Sequence, residues 1–109
     1  MATPIAGRWE FHGNGYPGTL EIQAPNANGD IRGVVYADEM QGFWDEGSQK
    51  ILFTRLIAPG NPEQWQTYTG YAFREGAFWF LCGQFDAFKG TGAKASRTTY
   101  GWYARKTVG

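Results

Sequence analysis

Stretches rich in aromatic and β-branched residues recur along this chain at intervals of about 8 to 14 residues, each cut off by Gly, Asn, Pro or Asp, and that rhythm predicts short antiparallel strands. Alternation is clearest early. Trp9 and Phe11 fall on one face with Arg8, Glu10 and His12 on the other, and Leu20, Ile22 and Ala24 oppose Thr19, Glu21 and Gln23. Pro25 to Gly29 reads as a hairpin turn, and Ile31, Gly33 and Val35 point inward on the next strand. Further strands are predicted over Met40 to Asp45, Lys50 to about Ile57, Trp65 to Arg74, Ala77 to about Phe88 and Thr98 to Lys106. About eight strands in sequence order, joined by short turns, close naturally into an up-and-down meander barrel with no exposed edge.

The chain of 109 residues is expected to form one domain. Its 17% aromatic content and 16 glycines suit curved strands whose large side chains fill a narrow interior. Gly33, Gly42, Gly70, Gly83 and Gly101 fall near strand centres, where they permit bending and make room for a ring on the neighbouring strand.

Ten acidic and ten basic residues cancel, so no overall field draws the protein to nucleic acid or an anionic membrane. The one basic cluster, Lys89, Lys94 and Arg97, reads as a solvated loop. No run approaches the roughly 20 apolar residues of a membrane helix, and residues 1–7 lack the regions of a signal peptide. With a single cysteine, Cys82, the expectation is a cytoplasmic protein without an intrachain disulfide.

Gly7-Arg8-Trp9, opening the first strand of such a meander, resembles the Gly-x-Trp start of the calycin barrels: lipocalins, fatty-acid-binding proteins and the avidin or streptavidin group. Gly29 to Gly33, Cys82-Gly-Gln84 and Trp102-Tyr-Ala-Arg105 echo avidin segments, and the short chain is closest to a minimal avidin barrel. The resemblance implies a streptavidin-like or lipocalin-like fold. It also implies that Trp9 closes the barrel base against a cation from the last strand, here Arg105, as a cation–π plug. The first-strand Asn and Ser that hold biotin in avidins correspond here to Phe11 and Gly15, and the third-strand Tyr and Ser to Val35 and Ala37. The resemblance therefore carries the architecture without the biotin contacts.

With one end sealed, a ligand enters at the other. A lumen lined by Trp44, Phe53, Tyr71, Trp79, Phe85 and Trp102 suits a small apolar or aromatic molecule. Arg55 shares the parity of Phe53, and a charge inside a small barrel needs a partner, either a carboxylate such as Asp86 or the head of a ligand. A barrel simply filled by its own side chains is the competing expectation.

No catalytic, cofactor or metal site is expected. His12 is the sole histidine, with outward parity and no local motif shared with Cys82, so zinc, triad and Cys–His chemistry all lack parts. Asp38 and Glu39 read as turn charges and Asp45 and Glu46 as strand-end charges, all solvated.

In Ile51 to Ile57 and Phe78 to Cys82 both parities are apolar. Leu52, Leu56, Phe78, Phe80 and Tyr103 would then point outward and call for another copy of the chain, giving a dimer or tetramer. The function expected is non-enzymatic binding. The alternatives are a peptidase-inhibitor-like interaction module, acting through the loops Gly13 to Gly18 and Ala58 to Gln64, and a barrel isomerase or cyclase.

Overall fold

The computed structural model describes residues 5–57, 64–89 and 96–108. It is an all-β structure of eight strands: β1 (Gly7–Gly13), β2 (Tyr16–Ile22), β3 (Asp30–Val35), β4 (Asp38–Asp45), β5 (Lys50–Leu56), β6 (Gln66–Glu75), β7 (Phe78–Lys89) and β8 (Ser96–Thr107). Each strand pairs antiparallel with the next, and β8 returns to β1, so the sheet is a closed meander barrel.

Local chemistry sets the turns. Asn14 and Gly15 join β1 to β2 with φ of 51° and 83°, the doubly positive geometry that matches a tight hairpin to strand twist. The expected Gly13 to Gly18 loop is thus only a two-residue turn, with β2 already running from Tyr16. Pro17 is tolerated there because β2 pairs with β3 only over Leu20 to Ile22. Between β2 and β3, the Asn26 side-chain oxygen accepts hydrogen bonds from the backbone N–H groups of Asn28 (2.9 Å) and Asp30 (3.0 Å). Asp45 likewise accepts from the backbone and hydroxyl of Ser48 in the β4–β5 turn.

The inward faces fill the barrel. Trp9, Phe11, Leu20, Val35, Ile51 and Phe53 are fully buried. A stack of rings occupies the middle: Phe53 on Tyr68 at 4.7 Å, Tyr68 on Phe85 at 4.6 Å and Phe11 on Trp102 at 5.5 Å between centroids. The Trp102 indole N–H donates to the carbonyls of Thr69 (3.0 Å) and Gln84 (3.1 Å). Its ring occupies the space that a Cβ on Gly70 would need.

The base is closed by Trp9 and Lys106, a correction to the expected Trp9–Arg105 pair. Inward parity on β8 runs through Trp102, Ala104 and Lys106, so Arg105 points out. The Lys106 ammonium stands 4.7 Å from the Trp9 ring centre and donates to the Ala6 carbonyl at 2.7 Å. Trp9 donates its indole N–H to the Ile5 carbonyl at 3.0 Å. Burial pushes the Lys106 amine below its ordinary pKa. Arg105 instead donates to Glu10 at 2.7 Å on the outer wall and covers the Phe78 ring.

Candidate functional site at the barrel mouth

Opposite the plug, a recess of about 390 Å³ opens between the β1–β2 turn, the β3–β4 turn and the facing ends of β5 to β8. That volume is within the usual range for small-molecule pockets, roughly 300–1,000 Å³. Phe85 and Ala87 give it an apolar wall, and Arg55, Gln66, Tyr68 and Tyr36 a polar one.

Arg55 organises the polar wall. Its Nε and Nη2 both approach Asp38 Oδ2 at 2.7 Å, and Nη1 donates to Gln66 Oε1 at 3.2 Å. Its guanidinium lies 4.8 Å from the Tyr36 ring centre. Both members of the ion pair are about four-fifths buried, with side chains only 20% and 19% exposed. The Tyr68 hydroxyl donates to the same Gln66 oxygen at 2.6 Å. Burial pushes the Tyr68 phenol up to about 12.

Tyr36 braces the rim. It sits in the left-handed region with φ 56°, a conformation in which a bulky residue must be held by its surroundings. Its hydroxyl donates to the Tyr16 carbonyl at 2.8 Å and accepts the Gly13 N–H at 3.2 Å. The ring lies directly over Gly18, where any Cβ would overlap its Cδ1 and Cε1.

The expected lumen residues divide between three places. Arg55 and Phe85 border the recess, and Phe53 and Trp102 lie in the ring stack beneath it. Trp44 and Trp79 point inward but sit towards the base. Trp44 borders a groove with Ile5 and Ala6 and donates to Glu46 at 2.6 Å, and Trp79 pairs with Lys106. That groove, about 530 Å³ and larger than the mouth recess, lies between turns whose carboxylates are committed to Trp44 and Ser48.

Tyr71 is on the outer wall and 55% exposed, a correction. β6 turns Tyr68, Gly70 and Ala72 inward, because Gly70 is the residue that clears space for Trp102. Two charges also need correcting. Asp38 is not a solvated turn residue but the partner of Arg55, and Asp86 faces outward to Arg97 at 3.0 Å. The side chain of Lys89, Lys94, and the candidate loop Ala58 to Gln64 except for Gln64 lie outside the described residues.

Tyr36, Gln66, Tyr68 and Tyr100 border the recess without having been anticipated. The phase of Tyr68 with Gly70 was the available signal for one of them. His12 stacks on Tyr103 at 4.7 Å outside the barrel, and Cys82 pairs with the far side of Tyr103, so the two are held apart. Among the described residues no three His, Cys, Asp or Glu side chains gather as a metal site would.

No protein-family model matches the chain, and no curated protein is matched in sequence. Solved structures do match. A rhizavidin–biotin complex aligns with a TM-score of 0.70 at 15% identity, over 98% of this chain and 99% of that one. A low-affinity shwanavidin mutant gives 0.64 at 14%, over 98% and 100%. A short afifavidin–biotin complex gives 0.63 at 15%, over 93% and 90%. At such identities the likeness is one of architecture, and the chain has the avidin-like fold.

Proposed function

We propose that this protein is a non-enzymatic binding protein that takes a small, flat, largely apolar ligand in the mouth of its barrel. The observation that carries this reading is an open recess at the barrel mouth bordered by the hydrogen-bonded side chains of Arg55, Gln66 and Tyr68 and by Phe85, which stacks on Tyr68. A few prearranged polar groups set in apolar surroundings are how small-molecule sites fix orientation. Among the described lining residues there is no histidine, cysteine or carboxylate to serve as acid, base or nucleophile, which supports binding over catalysis. Structural neighbours include proteins solved with biotin. Here Phe11 and Val35, fully buried and apolar, stand where the resemblance puts polar contacts, so biotin is not the ligand proposed.

The same reading includes a homo-oligomer, a dimer or tetramer formed through the outer wall. Leu52 (42% exposed) is paired with Phe43 (43%), while Phe73 stacks on Phe80 at 5.5 Å beside Phe78 and close to Tyr103. Leu56 is half-buried at the end of the same face of β5.

The test of the mouth site is calorimetric titration of the protein with 2-naphthol, beside the variant Ala87→Phe, whose larger side chain enters the recess. Saturable binding that the variant loses while keeping its circular dichroism is expected. Binding unaffected by a correctly folded variant would overturn the site.

A further inference from the structure

We infer that Asp38 sets the charge class of the ligand: by neutralising Arg55 from behind, it tunes the mouth for uncharged molecules and against carboxylates. The inference rests on the mouth-site reading above and goes beyond it to a chemical class and a positioning residue.

Arg55 is the one charged residue among the described lining residues of the recess. Left alone, a largely buried guanidinium beside an aromatic wall would be a carboxylate receptor, since its planar fork matches two oxygens. Its fork is already taken. Nε and Nη2 both converge on Asp38 Oδ2, and Nη1 turns to Gln66. Asp38 is not itself in the lining; it opens β4 just after the tight turn at Tyr36 and Ala37, and reaches Arg55 from the neighbouring strand. One face of the guanidinium lies on Tyr36.

A carboxylate entering the recess would therefore have to displace Asp38 and leave a second anion in the same low-dielectric corner. An ammonium would meet the guanidinium. A neutral flat molecule with a hydroxyl, carbonyl or amide edge meets neither obstacle, and the N–H donors of Gln66, unused in its bonds to Arg55 and Tyr68, remain to receive it.

The experiment uses the full chain and three probes of one shape: 2-naphthol, 2-naphthoate and 2-naphthylmethylammonium, titrated at neutral pH. The wild-type protein is expected to prefer 2-naphthol over either ion by about tenfold or more. Asp38→Asn is expected to tighten 2-naphthoate by about tenfold while changing 2-naphthol by less than about threefold, and Asp38→Glu to restore the wild-type order. A purely structural role for Asp38 would weaken all three probes together. Equal wild-type affinities for 2-naphthoate and 2-naphthol, or an unchanged ratio in a folded Asp38→Asn, would overturn the inference while leaving the site itself standing. Should Asp38→Asn not fold, the wild-type ratio alone decides. Failure of every probe to bind overturns the mouth site, and the inference with it.

Discussion

Lys106 stands over Trp9 with its ammonium 4.7 Å from the ring centre, while its neighbour Arg105 turns to the outside and pairs with Glu10. Two adjacent cations on one strand thus do different work, and mutation separates them. Lys106→Ala removes a cation–π contact, the hydrogen bond to Ala6 and a stem that covers the base, and is expected to lower unfolding free energy by about 1–2 kcal/mol. Arg105→Ala removes a solvent-screened pair and an outer-wall contact with the Phe78 ring, and is expected to lower the denaturant midpoint less than Lys106→Ala does.

Tyr68 makes stability fall in alkali. Its phenol is raised from 10.0 to about 12 by burial, so the unfolded chain loses this proton first as pH climbs. Stability is fully present below pH 10 and is lost between 10 and 12, by about 2 kcal/mol for a shift of this size. Lys106, whose amine is lowered by burial, acts in the opposite sense, its penalty easing as pH approaches 10.5. Comparing urea midpoints of wild type and Tyr68→Phe at pH 9 and pH 11.5 cancels the lysine contribution. The wild type is expected to lose more than the variant.

Glycines at two positions differ in what an added methyl group would strike. At Gly18 it meets the Tyr36 ring, a side chain that can swing away. Gly18→Ala should cost about 1–3 kcal/mol and release the Gly13 N–H from the Tyr36 hydroxyl, seen as faster amide exchange at Gly13. At Gly83 the methyl group meets the Thr69 carbonyl and the Gly70 Cα, backbone that cannot move without breaking the β6–β7 ladder. Gly83→Ala is expected to yield little folded protein.

Association through the outer wall predicts a change of mass on adding charge to it. Phe73 is 44% exposed and Tyr71 55%, so Tyr71→Glu with Phe73→Glu is tolerable to the monomer but not to an apolar interface. Sedimentation equilibrium should show an oligomer for the wild type and a monomer for the double variant, with matching far-ultraviolet spectra. A wild-type monomer at tens of micromolar, an order-of-magnitude test concentration, would dismiss the oligomer.

The strand count and closure were legible because period-two alternation in β1 to β3 is broken by residues such as Asn14, Gly15 and Gly29, whose positive φ marks turns. Arg55 could be placed inside because it keeps phase with Ile51 and Phe53. Phase failed where both faces are aromatic. In β6 Tyr68 and Tyr71 look alike, and only Trp102, far along the chain, decides that Gly70 and therefore Tyr68 face inward. Arg105 and Lys106 are both cations, and the nearby Trp102 and Ala104 set the phase that selects the second. Asp38 was hidden because its meaning lies across a strand pair, 17 residues away in Arg55, whereas local sequence shows only a charge beside a turn.

The most direct measurement of the mouth-site account is a two-dimensional ¹H–¹⁵N spectrum of the labelled protein titrated with 2-naphthol. Shifts concentrated at Gly13, Asn14, Tyr36, Arg55, Gln66 and Tyr100, the rim of one recess, are the predicted result. Shifts confined to the base around Trp44 and Glu46, shifts spread over the outer wall at Leu52 and Phe73, or no shifts at saturating probe would contradict it.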